Sequence, residues 1–314
     1  MTHLRIILNG KSAADARVRD AVATLRGEGH RIEVRPTWES GDVQRLTVEA
    51  LRDAEAHGSE VIVAGGGDGT LNEVLGTAFG GHGPYDGSFG LLPLGTANDF
   101  ARSAGIDASD ITAALRRAAT SEPSPVDIGT LDGRPFVNMV TGGFGSKVTA
   151  ETDPQLKKHL GGLAYALTGL ARLGNMTAST GRFRGEDFEW EGPFIAMAIG
   201  NGRQAGGGIP LCPEAVIDDG LLDLMILPAT PPDLGSRQLI EVLREGRPML
   251  RGLEVRSRSA WFEYEAHEEL HVNLDGEPVV TQSFRVACVP GALSLRLGPS
   301  PLLKKWGASM AAAI

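Results

Sequence analysis

Val61-Ile-Val-Ala-Gly-Gly-Gly-Asp-Gly-Thr-Leu-Asn-Glu-Val-Leu75 is the stretch whose reading decides the fold. Val61 to Ala64 is a short apolar run rich in β-branched residues, the kind that fits a strand buried on both faces. Gly65, Gly66, Gly67 and Gly69 then allow positive φ and close approach of the backbone. After Thr70 the period changes: Leu71, Val74, Leu75, Ala78 and Phe79 fall on one helical face. Thr70 is the expected N-cap, with Glu73 completing a capping box. Strand, glycine turn and helix N-terminus make an anion site, because unpaired N–H groups and the helix dipole converge there.

The kind of anion is narrowed by what is missing. No Lys follows the glycines, so this is not a P-loop. Asn72 stands where a dinucleotide fingerprint would need its third glycine. Asp68 is the odd member, since a carboxylate repels phosphate unless a cation lies between them or unless it binds neighbouring N–H groups instead. That points to a metal–nucleotide complex rather than a bare phosphate. The plainer alternative is a tight turn with no ligand.

Working outward, residues 4–8 and 31–35 read as two further strands. Ala14, Val18, Ala21, Val22 and Leu25 give one helix, and Val43, Leu46, Ala50, Leu51 and Ala54 another that stops by Gly58. Strands alternating with helices predict a parallel α/β layer, whose ligands sit off the carboxyl ends of the strands. The loop 37–42 and the glycine turn both belong to that edge. Residues 90–94 read as a fourth strand, Gly95-Thr-Ala-Asn-Asp99 as a second strand-to-helix turn, and 111–118 as a helix. Ser121-Glu-Pro-Ser-Pro125 breaks the pattern and marks a domain boundary.

Beyond it come short strand candidates at 136–140, 194–199, 222–227, 260–265, 270–274 and 284–289, separated by Gly, Pro and Asp turns. They suggest a β-sandwich. The expected organisation is therefore an α/β domain over 1–125, completed by 298–314, and a β-sandwich domain over 126–297. Two apolar helix faces interrupt the second half, at 160–171 and 239–250, and are read first as core. Residues 308–314 are expected to fray.

Composition narrows the function classes. A chain of 314 residues suits two domains at about 100–200 residues each. The net charge of −9 argues against a nucleic-acid binder and against strong adhesion to an anionic membrane. Cys212 and Cys288 form no C-x-x-C and are too few for a disulfide framework, which suits a reducing compartment. The longest uncharged apolar run, between Lys158 and Arg172, falls short of the roughly 20 residues that span a bilayer. A cytoplasmic location with transient peripheral membrane contact is the expectation.

Three constellations carry candidate chemistry. His267-Glu-Glu-Leu-His271 matches H-E-x-x-H, but its surroundings alternate with period two. On a strand the two His would stand about 13 Å apart, so a zinc site is rejected. Asp275-Gly-Glu277 offers two carboxylates, one to act as base and one to orient or link a metal. A plain Asp-Gly turn is the equal alternative. Asp218-Asp-Gly220 reads locally as another turn.

Taken together, Gly66-Gly-Asp-Gly-Thr-Leu-Asn-Glu-Val74 and Leu92-Pro-Leu-Gly-Thr-Ala-Asn-Asp-Phe-Ala101 resemble the catalytic domain of diacylglycerol-kinase-type lipid kinases. The bacterial YegS-like lipid kinases are the closest resemblance. Thr37-Trp-Glu-Ser-Gly-Asp42, Gly200-Asn-Gly-Arg-Gln-Ala-Gly-Gly-Gly208, Asp218-Asp-Gly-Leu-Leu-Asp223 and Asn273-Leu-Asp-Gly-Glu-Pro278 extend it over nearly the whole chain. The GGDGT element alone is shared with NAD kinases and phosphofructokinases; the second element is more specific.

The resemblance implies ATP-dependent transfer of a γ-phosphate to a hydroxyl of a glycerol-based lipid, of diacylglycerol or phosphatidylglycerol type. It implies that Thr37, Gly66, Gly67, Asp68, Gly69, Thr70, Leu71, Asn72 and Thr96 hold ATP, and that Glu277 accepts the proton, with Asp275 second in line. It implies Mg2+, or Ca2+, on Asp219 with the main-chain oxygens of Val216 and Leu221. The lipid partner would be met at a membrane surface, reaction would require domain closure, and a homodimer is compatible. The rivals are an NAD kinase or sugar kinase, a sphingosine- or ceramide-type kinase, and a nucleotide-sensing module without turnover.

Overall fold

The computed structural model describes residues 1–57, 61–81, 85–143, 178–229 and 254–305. The chain forms two compact units: Met1–Ile128 with Ile217–Asp219 and Pro290–Ile314, and Gly129–Val216 with Gly220–Val289. Residues 126–128, 217–219 and 290–297, read from the sequence as part of the second domain, thus group with the first unit.

In the first unit β1 (His3–Leu8), α1 (Ala16–Gly27), β2 (Arg31–Pro36), α2 (Asp42–His57), β3 (Val61–Gly66), α3 (Asp68–Gly81) and β4 (Ser88–Pro93) follow in turn. The four strands are parallel, in the order β2-β1-β3-β4. β3 and β4 are buried at every position, as central strands covered on both faces must be. In α1 the buried residues are Val18, Ala21, Val22 and Leu25, the periodic stripe of the sequence. Ala14 lies outside that helix because the Asp15 carboxylate accepts the Arg17 amide and caps it. The short α4 (Asp99–Ser103) and α5 (Ile111–Thr120) complete this series.

β5 (Ser124–Leu131) leads the chain into the second unit. There β6 (Arg134–Phe136), β7 (Met139–Gly142), β8 (Ser179–Gly185), β9 (Phe188–Gly200), β10 (Leu222–Pro228), β11 (Val255–Ser259), β12 (Trp261–Leu274) and β13 (Glu277–Leu295) follow, residues 290–295 of β13 grouping with the first unit. The order β11-β10-β9-β7-β12-β13 is antiparallel, and β8 pairs with both β9 and β12. Phe183, Phe194, Phe262 and Tyr264 centre the core, with the Phe183 and Tyr264 rings 4.9 Å apart. Side chains of this size contribute about 1.5–3 kcal/mol each when fully buried.

Several expectations are corrected. The strand read over 136–140 is two strands, because the amides of Val137 and Asn138 turn away to a carboxylate. The strands read at 260–265 and 270–274 are one, β12, whose pairing with β13 shifts register between Glu265 and Leu270. His267 and His271 both stand on that strand. β5, β8 and β11 were not expected: Pro125 reads as a breaker, yet it stands near the start of its strand, where Pro is tolerated. The apolar faces at 160–171 and 239–250 and the tail at 308–314 lie outside the described residues. Among the described residues no helix is long and apolar enough to cross a membrane.

Candidate active site

The glycine turn after β3 is tighter than the sequence suggested. α3 begins at Asp68, and the Gly67 carbonyl already accepts the Leu71 amide at 3.1 Å. Thr70 therefore stands in the first helical turn and is not the N-cap. Its side chain fills the space over Gly66, where a Cβ would lie 2.3 Å from Thr70 Oγ1.

Asp68 takes the second of the two courses open to it. Its carboxylate accepts the amides of Asp99 and Phe100, each at 3.1 Å, and so ties the start of α4 to the start of α3. The step from Asp68 to a cation loses its premise, since the N-terminal amides of α4 already stabilise the charge. The two turns also touch through their backbones: a Cβ on Gly95 would meet Gly67 Cα at 2.5 Å. Asn98, in the left-handed region at φ 51°, brackets Gly95 by accepting its amide at 2.9 Å and donating to its carbonyl at 2.8 Å. The Leu94 amide donates to the Gly66 carbonyl at 2.9 Å. The Leu94-Gly-Thr-Ala-Asn-Asp99 element is thus a fitted partner of the glycine turn, and Thr96 is left exposed on it.

Gly69 differs from the other glycines of the turn. It is exposed, its φ lies outside the left-handed region, and a Cβ there would meet nothing within 4 Å. The fold does not require glycine at 69, whereas an anion settling on the first turn of α3 would. Nearby on α3, the Asn72 side-chain oxygen is buried with no partner among the described residues. The Thr37 hydroxyl oxygen accepts the Gly10 amide at 3.0 Å, and the Asn9 amide donates to the Gly65 carbonyl at 2.7 Å. Asn9 and Gly10, which the sequence reading passed over, therefore link Thr37 to the glycine turn. An Asn-Gly pair directly after the first strand was the signal.

The loop bearing Thr37 is pinned by Asp42, whose buried carboxylate accepts the amides of Trp38 and Glu39 and pairs with Arg45. The Trp38 amide, with Arg45 and the Glu39 amide, holds the Asp42 carboxyl down to about 2.

In the second unit Asp275 and Gly276 form the two-residue turn between β12 and β13, closed by the pairing of Leu274 with Glu277. Their φ values of 47° and 105° are the positive pair that a type I′ hairpin demands. The Asp275 carboxylate accepts the amides of Val137 at 2.6 Å, Asn138 at 3.0 Å and Met139 at 2.7 Å. The Glu277 side chain is exposed and makes no hydrogen bond or ion pair among the described residues. Of the two candidate bases, Asp275 is occupied and Glu277 is open. The motif is a hairpin turn that leaves one carboxylate exposed.

Around Asp218-Asp-Gly220, Asp218 Oδ1 accepts the Lys304 amide and Asp127 Oδ1 the Gly291 amide. Burial pushes the Asp218 carboxyl up against the Lys304 hydrogen bond, and Asp127 and Asp219 add to the push. This excess of negative charge suits a hard cation. Asp219 belongs to the first unit, Val216 and Leu221 to the second. Among the described residues no three His, Cys, Asp or Glu side chains form a metal cage.

Residues 3–131 match the model of the diacylglycerol kinase catalytic domain, and residues 138–297 that of the YegS C-terminal NAD kinase beta sandwich-like domain. A Pseudomonas aeruginosa (strain UCBPP-PA14) protein named "Probable lipid kinase YegS-like" is 50% identical over 301 residues, covering 96% of each chain. One of the same name from Xanthomonas oryzae pv. oryzae (strain MAFF 311018) is 47% identical over 311 residues, covering 96% of this chain and 98% of its own. The crystal structure of a diacylglycerol kinase from Bacillus anthracis str. Sterne shares the fold, with a TM-score of 0.74 at 23% identity over 95% of this chain and 97% of that one. Fold and site define a phosphotransferase of the lipid kinase class, with an α/β catalytic domain and a β-sandwich-like domain. Within that class the chain belongs to the YegS-like lipid kinase family.

Proposed function

We propose that the protein transfers the γ-phosphate of ATP to a free hydroxyl of a glycerol-based lipid, of diacylglycerol or phosphatidylglycerol type, met transiently at a membrane surface. The observation that carries this reading is the open space at Gly69, over the first turn of α3. The triphosphate settles there on the N-terminal amides, flanked by Thr37, Asn72 and Thr96. Glu277 takes the proton from the lipid hydroxyl, the oxygen attacks the γ-phosphorus, and ADP leaves. The open carboxylate of Glu277 favours turnover over a purely sensing role.

A divalent cation, Mg2+ or Ca2+, suits the acidic Asp218–Asp219 segment, and Asp219 with the Val216 and Leu221 carbonyl oxygens would hold it. Bound there, it would neutralise the excess charge of that segment.

Labelled ATP and dispersed lipids test the proposal. Gly69→Ala should keep its melting temperature while kcat/KM for ATP falls at least about tenfold, because only the ligand needs that space. Glu277→Gln should lower kcat for the lipid at least about a hundredfold with the KM for ATP little changed. Unchanged ATP use by Gly69→Ala would move the nucleotide elsewhere. Running a panel of diacylglycerol, phosphatidylglycerol, a sphingoid base and ceramide sorts the acceptor.

A further inference from the structure

Glu277 opens β13 with an exposed side chain and no hydrogen bond to hold it, yet a proton acceptor must sit within hydrogen-bond reach of its substrate. What fixes its backbone is the turn immediately before it. The turn is anchored by more than strand pairing: the Asp275 amide donates to the Met139 carbonyl at 3.1 Å, and its carboxylate collects three successive amides in return. Such charge-assisted hydrogen bonds are about twice as strong as neutral ones.

The amides it collects are themselves held from behind. Asn201 is fully buried and donates from Nδ2 to the Val137 carbonyl at 2.9 Å. The amides of Asn201 and Gly202 both donate to the Asn138 carbonyl, and Asn138 Nδ2 reaches the Gln204 carbonyl at 2.9 Å. The fit leaves no room at 202, where a Cβ would lie 2.0 Å from Asn138 Oδ1. The loop after β9 therefore braces the break between β6 and β7, and the break grips the hairpin.

We propose that Asp275 is a positioning residue, its carboxylate gripping the amides of residues 137–139 to hold the β12–β13 turn and with it Glu277, and that Asn201 braces this grip. The inference rests on the reading of Glu277 as the base. It assigns Asp275 no proton transfer. Displacement of a reacting group by about 1 Å costs on the order of a hundredfold in rate, so a loosened turn acts on kcat.

The test measures lipid phosphorylation by Asp275→Asn, Asn201→Ala, Glu277→Gln and the double variant Asp275→Asn/Glu277→Gln, all at a temperature where circular dichroism shows them folded. Asp275→Asn keeps the shape but turns an NH2 group toward the amides. It should lower kcat at least about tenfold, keep the KM for ATP within about twofold, and speed hydrogen exchange at residues 137–139. The double variant should be no slower than Glu277→Gln alone, because Asp275 acts only through Glu277. Asn201→Ala should reproduce the kcat loss in weaker form. A double variant slower by the full product of the single effects would overturn the proposal, as would a folded Asp275→Asn enzyme with normal kcat. If Glu277→Gln keeps normal kcat, the base reading fails instead, and slow exchange at 137–139 lost in Asp275→Asn still registers the grip separately.

Discussion

Asp68 in the first unit and Asp275 in the second occupy similar settings, each beside glycine at a sharp turn, and each spends its carboxylate on backbone amides. They differ in what they hold. Asp68 reaches 31 and 32 residues along the chain to the start of a helix, and ties two neighbouring turns of one parallel sheet. Asp275 reaches back 136 to 138 residues to a gap between two strands, and ties a hairpin. The first tie shapes the surface on which phosphate would rest, while the amides at the start of α3 stay with that surface. The second would shape the approach of the proposed base, Glu277. Loss of the first should therefore appear in ATP binding, and loss of the second in kcat.

The contact between the two turns offers the largest test. Gly95→Ala places a Cβ 2.5 Å from Gly67 Cα, so the turns must part. Overpacking of this kind costs about 1–3 kcal/mol. We expect kcat/KM for ATP to fall at least about a hundredfold and the melting temperature to drop by several degrees. Normal ATP kinetics in a folded Gly95→Ala protein would show that the two turns need not touch.

Asp68→Ala comes next. It removes two hydrogen bonds to a charged group, worth about 1.5–3 kcal/mol each at most, and should raise the KM for ATP along with the loss of stability. Asp68→Asn keeps an acceptor and should be milder on both. Loss of all turnover in Asp68→Asn with stability untouched would make the carboxylate a chemical group after all, and the likeness to Asp275 would end.

The smallest expected effect is at Asp42. Its carboxyl is held at about 2 by the Trp38 amide and its other partners, against about 3.9 in an unfolded chain. The folded state binds that proton less well, so the stabilisation is full above about pH 4 and is lost as pH falls toward 2. Thermal unfolding of the wild type and Asp42→Asn should differ modestly at pH 7 and converge at low pH. A constant difference would exclude the carboxylate as its source.

What the sequence made legible follows the range of the forces involved. β3 and the helix after it were readable because an apolar run and a helical period are written within a dozen residues. The helix start was misplaced by three residues, Leu71 against Asp68, because Thr70 looks like a cap until its methyl and hydroxyl are seen packed over Gly66. The turn from Gly95 to Asp99 was readable as a turn, but the need for glycine at 95 was not, since its reason is another turn's Cα. The break at Val137 and Asn138 could not be read at all, because its cause is a carboxylate far along the chain. β8 escaped notice because its Arg and Gly residues dilute the pattern and only Gly181 and Phe183 are buried.

β13 has a consequence for how the protein is made. At its far end Leu295 pairs with Phe89 of β4, the Arg296 amide donates to the Phe89 carbonyl, and the Arg296 guanidinium reaches Ser88 and the Ser121 carbonyl. Among the described residues these are the last strand residues to leave the ribosome, after the whole of the second unit. At about 5–20 residues per second, β4 waits on the order of ten seconds or more for its neighbour. During that wait Ser88-Phe-Gly-Leu-Leu-Pro93 presents an unpaired apolar edge, the kind of strand that recruits other chains. A chain cut short before residue 290 never covers it. Such fragments should go to aggregates or to chaperones even though every residue of the glycine turn is already in place.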